Sequence, residues 1–227
     1  MLDFTFMLEI IPNLLRAVWV TIEISFLAVI LGTIAGIFLG SVRVLGPRSI
    51  QLLIQGMVNF IRGVPQLVII LIVYYVLPNF GLVFDEFWTG VIALTIIAAG
   101  YEVEIVRAAV ESIDKGQREA ALSIGMSPIM AFSQIILPQA TRRMIPAITN
   151  ELANTVKSSA LLSVIAVNEL LKIGNGIITR TFYVYEVLLE MAILYLLVVG
   201  FLIWISNYLE NRVFSFGRGV GLSQEAR

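Results

Sequence analysis

Residues 17–42 read AVWVTIEISFLAVILGTIAGIFLGSV, an almost unbroken apolar segment whose only charged side chain is Glu23. A helix needs roughly 20 mostly apolar residues to cross the hydrocarbon core of a bilayer, which is about 30 Å thick. The segment therefore predicts a transmembrane helix. Gly32, Gly36 and Gly40 recur at every fourth position along it, and such a ladder of small residues favours close packing against a neighbouring helix.

The rest of the chain has the same character. Apolar residues make up 59% of the 227 residues and charged residues 14%, whereas soluble domains carry roughly 45–50% and about 25%. Because a core of this size has no room for the excess, we predict an all-α integral membrane bundle of about five transmembrane helices in a single domain over 1–227. The spans are 17–42, 52–77, 87–107, 144–167 and 185–208.

Segment 108–143 lies between the third and fourth spans and differs from both. It is amphipathic, it carries both acidic and basic side chains, and it is interrupted by Gly116, Gly125, Pro128 and Pro138. Such a sequence predicts short helices at the membrane surface. Segment 168–181, between the fourth and fifth spans, predicts a loop around Gly174-Asn175-Gly176.

The distribution of basic residues predicts the orientation, because cytoplasmic loops are enriched in lysine and arginine. One side of the predicted bundle holds three cations, which are Arg16, Lys172 and Arg180. The other side holds ten, which are Arg43, Arg48, Arg107, Lys115, Arg118, Arg142, Arg143, Arg212, Arg218 and Arg227. We therefore expect segment 108–143 and the C-terminus in the cytoplasm and the N-terminus outside.

Several ionisable residues fall inside the predicted spans, where each costs roughly 2.5–3.5 kcal/mol on insertion scales. A candidate substrate pathway for a zwitterion combines Glu102 on the third span with a stripe at helical spacing on the fourth, Glu151, Asn154, Lys157 and Ser158. The alternative is internal ion pairing, which we favour for Glu104, Arg107 and Glu111 because of their spacing. Glu186 and Glu190 are expected to reach water at the membrane interface.

Other function classes lack their residues. The sequence contains no cysteine and no histidine, which excludes thiolate catalysis and cysteine metal sites and removes the commonest metal ligand, so we expect no metal site. It has no phosphate-binding loop of the Gly-x-x-x-x-Gly-Lys-Ser/Thr type, so this chain does not hydrolyse ATP. With a net charge of −1, it has no global field that would attract nucleic acid.

One spaced pattern in segment 108–143 identifies a family. It consists of Glu119-Ala120-Ala121, then Gly125 after three residues, Ile135 after nine more, and Leu137-Pro138 after one. This pattern resembles the EAA loop of the permease subunits of bacterial ABC importers at all seven positions. Three flanking segments are similar to the polar-amino-acid branch of that family, namely 62–67 (RGVPQL), 115–121 (KGQREAA) and 157–161 (KSSAL), with departures at Val64, Ser159 and Ala160.

The resemblance implies the type I ABC importer permease fold and transport of a polar amino acid across the bacterial cytoplasmic membrane by alternating access. It also implies a cytoplasmic ABC ATPase dimer, a second permease subunit and an extracytoplasmic solute-binding protein. ATP and Mg would bind to the ATPase, and this chain would bind no cofactor. The seven motif residues would couple it to the ATPase.

Two other transport mechanisms fit a bundle of apolar helices. An ion-driven secondary transporter would usually carry an internal inverted repeat, and no clear repeat is present in this sequence. An ABC export permease remains an alternative because the number of spans does not set the direction of transport. A membrane enzyme lacks a catalytic carboxylate pair in a water-facing loop.

Overall fold

The computed structural model describes residues 2–213, and every regular element in that range is a helix. Helix α1 (Phe4–Leu45) begins where the Asp3 side chain accepts hydrogen bonds from the backbone N–H groups of Thr5 and Phe6, both at 3.0 Å. Its 42 residues give a length of about 63 Å at 1.5 Å per residue. The helix therefore extends well before the predicted span 17–42.

The glycine ladder of α1 packs against helix α4 (Glu86–Glu111), as the sequence predicts. A Cβ atom at Gly32 would lie 2.8 Å from the Ala98 Cβ, and one at Gly36 would lie 2.7 Å from the Glu102 Cβ. Only hydrogen fits at these positions, so the two helices approach closely along the centre of the bundle.

The second predicted span forms two helices, α2 (Arg48–Gly63) and α3 (Gln66–Val76), and a 3₁₀ turn, Leu77–Phe80, continues α3. The chain direction changes by 107° between them. The sequence predicts a bend at this point, and the structure shows its cause. Val64 adopts an extended conformation (φ −94°, ψ 139°), which is the conformation favoured before a proline.

The segment between the third and fourth spans forms short helices, as predicted. These are α5 (Lys115–Ser123), α6 (Pro128–Ala131) and a π-helical turn, Phe132–Ile136. Helix α7 (Leu137–Ser158) follows without a break and continues as a 3₁₀ segment, Ser159–Ile165. The surface segment is thus joined rigidly to the fourth span, which begins before residue 144.

The loop predicted for 168–181 is wrong, because residues Leu170–Thr181 form helix α8. Glu169 caps this helix by accepting hydrogen bonds from the N–H groups of Leu171 (2.9 Å) and Lys172 (2.6 Å). The Tyr195 hydroxyl donates to the same carboxylate at 2.9 Å. The cap therefore also connects α8 to the last helix of the chain. Gly174 and Gly176, which favoured a loop, do not prevent this helix from forming.

Helix α9 (Val184–Val213) completes the bundle. Within residues 2–213, three helices are long and apolar enough to cross a membrane, and five spans result if each of the two bent helix pairs counts as one. The all-α membrane bundle predicted from the sequence is therefore confirmed. Arg218 and Arg227, used above for the orientation, lie outside the described residues, as does the Arg212 side chain.

Candidate functional site

Helix α5 displays the first part of the seven-residue motif. Asp114 caps it by accepting a hydrogen bond from the Gly116 N–H at 2.7 Å. Ala121 is buried, whereas Glu119 and Ala120 are exposed. Ala121 therefore packs α5 against the bundle. Ala120 lies on the exposed side of α5, where its small side chain leaves the surface nearly flat.

Gly125 ends α5 in a conformation that other residues resist. Its φ is +85°, its N–H donates to the Leu122 carbonyl at 3.0 Å, and the Met126 N–H donates to the Ala121 carbonyl at 3.1 Å. This pair of bonds is a Schellman motif, whose left-handed position is usually glycine. A Cβ at Gly125 would meet no atom within 4 Å, so the backbone conformation is the reason for glycine here.

Four large apolar side chains surround this turn and point away from the protein. We call them the apolar rim; their exposed fractions are 40% for Leu122, 80% for Ile124, 69% for Ile129 and 44% for Met130. The other motif residues lie behind it, where Ile135 and Leu137 are half-buried and Pro138 is exposed. A cluster of exposed apolar side chains on a polar, charged segment is typical of a protein-binding surface.

The surface segment is attached to two membrane helices. Phe132 and Ile136 pack into a buried cluster with Val106, Ala109 and Val110 of α4. The Arg143 guanidinium of α7 donates to the Ser112 carbonyl (2.5 Å) and hydroxyl (2.9 Å) at the end of α4. A displacement of α5 and α6 would therefore move α4 and α7 together.

The same two helices carry the residues of the candidate substrate pathway. Glu102 is 1% exposed and Glu151 is 8% exposed. Asn154 and Lys157 are the polar groups that act on Glu151. The structure therefore buries both carboxylates on α4 and α7, two helices that pack against each other.

The rest of the stripe faces outward from this subunit. Asn154 and Lys157 are exposed and Ser158 is half-buried. Intramembrane charges usually face a partner or a water-filled cavity rather than lipid. The stripe thus has one end in the protein interior, at Glu151, and the other on a surface that must be polar or covered.

Sequence reasoning missed the partner of Glu102. The Thr33 hydroxyl donates a hydrogen bond to Glu102 Oε1 at 3.1 Å, while Glu102 Oε2 has no hydrogen-bond partner among the described residues. Thr33 lies within the glycine ladder, and a polar residue beside Gly32 and Gly36 is the signal that could have drawn attention to it. One carboxylate oxygen is therefore held in place and the other is free to accept a hydrogen bond.

Two expectations about the other glutamates have opposite outcomes. Internal pairing is confirmed, because Arg107 bridges Glu104 (2.8 Å) and Glu111. Arg43 of α1 also pairs with Glu104, which sequence spacing could not reveal. The expectation that Glu186 and Glu190 reach interface water is wrong, since they are only 6% and 7% exposed. The Asp3 N–H donates to Glu186 at 3.2 Å, because the start of α1 packs beside α9.

Known proteins share both the sequence and this architecture. GlnM of Bacillus subtilis, described as a probable glutamine ABC transporter permease protein, is 36% identical over 85% of this chain and 89% of its own length. The arginine transport system permease protein ArtQ of the same organism is 32% identical over 93% of this chain and 97% of its own length. A crystal structure of an amino acid ABC transporter with histidines superposes with a TM-score of 0.86 and 32% identity, covering 93% of this chain and 99% of that chain.

Residues 32–215 match the family described as the inner membrane component of binding-protein-dependent transport systems. The match contains the glycine ladder, the candidate pathway and all seven motif residues. It covers well over half of the chain, and the chain spans nearly the full length of the relatives named above. The chain therefore belongs to this family of ABC transporter permeases and has the type I importer permease fold.

Proposed function

We propose that this chain is the permease subunit of an ATP-driven importer for a polar amino acid, working by alternating access in the bacterial cytoplasmic membrane. The observation that carries the proposal is the attachment of the motif segment to α4 and α7, the helices that hold Glu102 and Glu151. A partner protein that displaces the motif segment would therefore also move Glu102 and Glu151.

The apolar rim is the proposed contact with the ATPase. Ile124 is 80% exposed and stands beside the Gly125 turn, so it can enter an apolar pocket of a partner without any change in this chain. Ala120 allows close approach and Glu119 adds a charge near it. ATP and Mg bind to the ATPase dimer, and this chain binds neither. ATP binding closes that dimer, and the free energy of the change comes from tighter ATP binding in the closed state.

A second permease subunit is the proposed cover for the exposed end of the stripe. If Asn154 and Lys157 face a second subunit, a polar route forms between the two, and lipid does not contact the lysine. The positive-inside distribution supports an orientation with the apolar rim and the C-terminus in the cytoplasm and the N-terminus outside. A solute-binding protein then delivers the amino acid to the outer end of the route.

Reconstituted uptake tests the proposal. The permease is placed in proteoliposomes with its ATPase and solute-binding protein, and uptake of radiolabelled L-arginine, L-glutamine and L-glutamate is measured. Uptake should require ATP together with the binding protein. Ile124→Glu should abolish co-purification with the ATPase, while Ile124→Val, which keeps the apolar surface, should not.

Each rival mechanism predicts a different result in the same vesicles. Uptake driven by an ion gradient without ATP would support a secondary transporter. ATP-dependent efflux that ignores the binding protein would support an export permease. Either result would overturn the proposal.

A further inference from the structure

Helix α8 and the first half of α1 form an open cavity of about 520 Å³ that the candidate pathway does not use. Its lining contains three cations, Arg16, Lys172 and Arg180, and no carboxylate. We call it the cation cavity. The same three residues are the basic residues that the orientation assigns to the outer side of the membrane, where lysine and arginine are scarce. All of them converge on one cavity, so their positions are not scattered over the outer surface.

The positive charge of the cation cavity is not neutralised within this subunit. None of its three cations has an ion-pair partner among the side chains that the structure describes. The other polar side chains of the lining are the uncharged Asn13 and Asn168. Like charges repel one another, and carboxylates brought close to them would relieve that repulsion. The cavity is therefore complementary in charge to an acidic partner.

The cation cavity lies outside the hydrocarbon core of the membrane. Arg43 pairs with Glu104 near the cytoplasmic end of α1, and Arg16 is about 40 Å from Arg43 along the same helix at 1.5 Å per residue. A helix needs about 30 Å to cross the core when upright, and about 39 Å when it leans by 40°. With Arg43 at the inner edge of the core, Arg16 lies at or beyond the outer edge, where a water-soluble partner can reach it.

The spacing of the cations favours a protein surface over a single small anion. Lys172 and Arg180 lie on one face of α8, about 12 Å apart along its axis. One carboxylate cannot pair with both of them. A surface that carries several carboxylates can pair with each cation separately, and such complementary charges guide two proteins together.

Two exposed aromatic side chains lie just beyond Arg180, where α8 ends. Phe182 is 83% exposed and Tyr185 is 80% exposed. Phe182 has a φ of +62°, a conformation that glycine adopts readily and a bulky residue resists. Between them, Tyr183 stacks on Phe6 of α1 with ring centroids 4.1 Å apart, which fixes the turn. The Phe182 ring therefore opposes the backbone of the turn and packs little within the subunit, and exposed aromatic rings are typical of protein interfaces.

We propose that the cation cavity and the adjacent Phe182 and Tyr185 form the docking surface for an acidic region of the solute-binding protein. The inference rests on the proposed function, which supplies this partner. Carboxylates of the binding protein pair with Arg16, Lys172 and Arg180, and the two aromatic rings make the apolar contact. Since α7 leads through the 3₁₀ segment Ser159–Ile165 into α8, a protein docked there releases its amino acid close to the outer end of the polar stripe.

Affinity measurements on the assembled complex test the docking surface. The permease and its ATPase are placed in POPC nanodiscs, and the Kd of the substrate-loaded solute-binding protein is measured by biolayer interferometry. Wild-type binding should weaken between about 50 mM and about 300 mM NaCl, because salt screens exposed charges. Lys172→Glu with Arg180→Glu should raise the Kd at low salt by at least about tenfold and remove most of the salt dependence.

Three further variants separate docking from folding. Phe182→Gly removes the ring together with the backbone strain, so the unfolding temperature should stay the same or rise while the Kd rises by about tenfold. Lys172→Arg with Arg180→Lys keeps both charges, and its Kd should stay within about threefold of wild type. Arg48→Glu reverses an exposed cation at the start of α2 and should leave the Kd unchanged.

The outcomes distinguish this proposal from the transport function. Equal Kd values for wild type and the glutamate pair would overturn the docking surface, and the transport function would stand if uptake still required the binding protein. Normal protein binding by the glutamate pair with a loss of retained POPG would identify the cavity as a lipid site instead. A Phe182→Gly variant that binds like wild type would assign the ring to the membrane interface and overturn its part in docking. A wild-type complex that binds no solute-binding protein would overturn both proposals.

Discussion

Thr33 of α1 donates a hydrogen bond to Oε1 of Glu102 on α4 at 3.1 Å, and no described residue donates a hydrogen bond to Oε2 of the same carboxyl group. The bond crosses a close contact between α1 and α4, with Gly32 against Ala98 on one side and Gly36 against Glu102 on the other. It therefore fixes the direction of a carboxyl group that is buried between α1 and α4.

Removing this hydroxyl tests whether Thr33 positions Glu102. Thr33→Val has nearly the same shape but donates no hydrogen bond. A hydrogen bond of this kind contributes roughly 0.5–1.5 kcal/mol, so the KM for amino acid uptake should rise by roughly twofold to tenfold. Thr33→Ser keeps the hydroxyl and should remain close to wild type. Equal KM values for the valine and serine variants would show that Thr33 has no positioning role.

The stripe on α7 gives a second prediction. Glu151→Ala or Lys157→Ala should lower substrate-stimulated uptake by at least about tenfold, because the removed charge is one that would bind a zwitterion. Assembly with the ATPase should change little, since Lys157 is exposed and makes no ion pair with the described residues. Uptake and co-purification are measured on the same preparation. A double mutant that transports like wild type would eliminate these residues from the pathway.

Gly125 tests the coupling turn. Gly125→Ala places an L side chain at φ +85°, at a cost of about 1–2 kcal/mol. Because α5 and α6 meet at this turn, uptake should fall more than ATP hydrolysis does, which is measured as the ratio of amino acid transported to ATP consumed. Gly56→Ala is the matched control, since Gly56 is helical and also has open space around it. An unchanged ratio in Gly125→Ala would remove the turn from the coupling mechanism.

Gly36 tests the packing of α1 on α4. An added methyl group would lie 2.7 Å from the Glu102 Cβ, and overpacking of this kind costs about 1–3 kcal/mol. Gly36→Ala should therefore lower the thermal unfolding temperature of the purified protein. Gly200→Ala adds the same methyl group to α9, where it meets no atom within 4 Å, and should leave the temperature unchanged or slightly raised. Similar unfolding temperatures for the two variants would contradict the packing seen at the ladder.

Much of the fold could be predicted because each decisive signal is local. The apolar segments predict the bundle, the glycine ladder predicts the close contact of α1, and Gly125 with Pro128 predicts the breaks between the surface helices. The failure at α8 is informative. Its helix depends on Glu169, which is fully buried and held by Tyr195, a residue distant in sequence. Leu170, Ile173, Ile177 and Ile178 do recur at helical spacing, but Gly174 and Gly176 among them favoured a loop, and the cap itself could not be seen in the sequence.

In the candidate site too, features with a local sequence signal could be predicted, whereas contacts between distant helices could not. The common depth expected for Glu102 and Glu151 rests on the helical rise along each span and stays a prediction, whereas their burial is seen in the structure. Thr33 and Arg43 could not be assigned as partners of Glu102 and Glu104, since no sequence spacing relates α1 to α4 before the helices are packed. The burial of Glu190 was missed for this reason too, because it depends on how α9 sits against its neighbours.

The length of α1 has a consequence for how cells make this protein. Exposed apolar side chains run along one face of its N-terminal half, with exposed fractions of 69% for Phe4, 71% for Leu8, 50% for Leu15 and 66% for Trp19. A helix of about 63 Å would have to lean by about 60° to fit a 30 Å core, whereas membrane helices lean by about 20° on average and rarely beyond 40°. The hydrocarbon core therefore cannot cover the whole face, and part of it extends into the headgroup region or water unless a partner protein packs on it. A copy made without such a partner would leave this apolar face of α1 exposed. We expect membrane proteases to degrade that copy, so that the amount of this protein follows the amount of its partner.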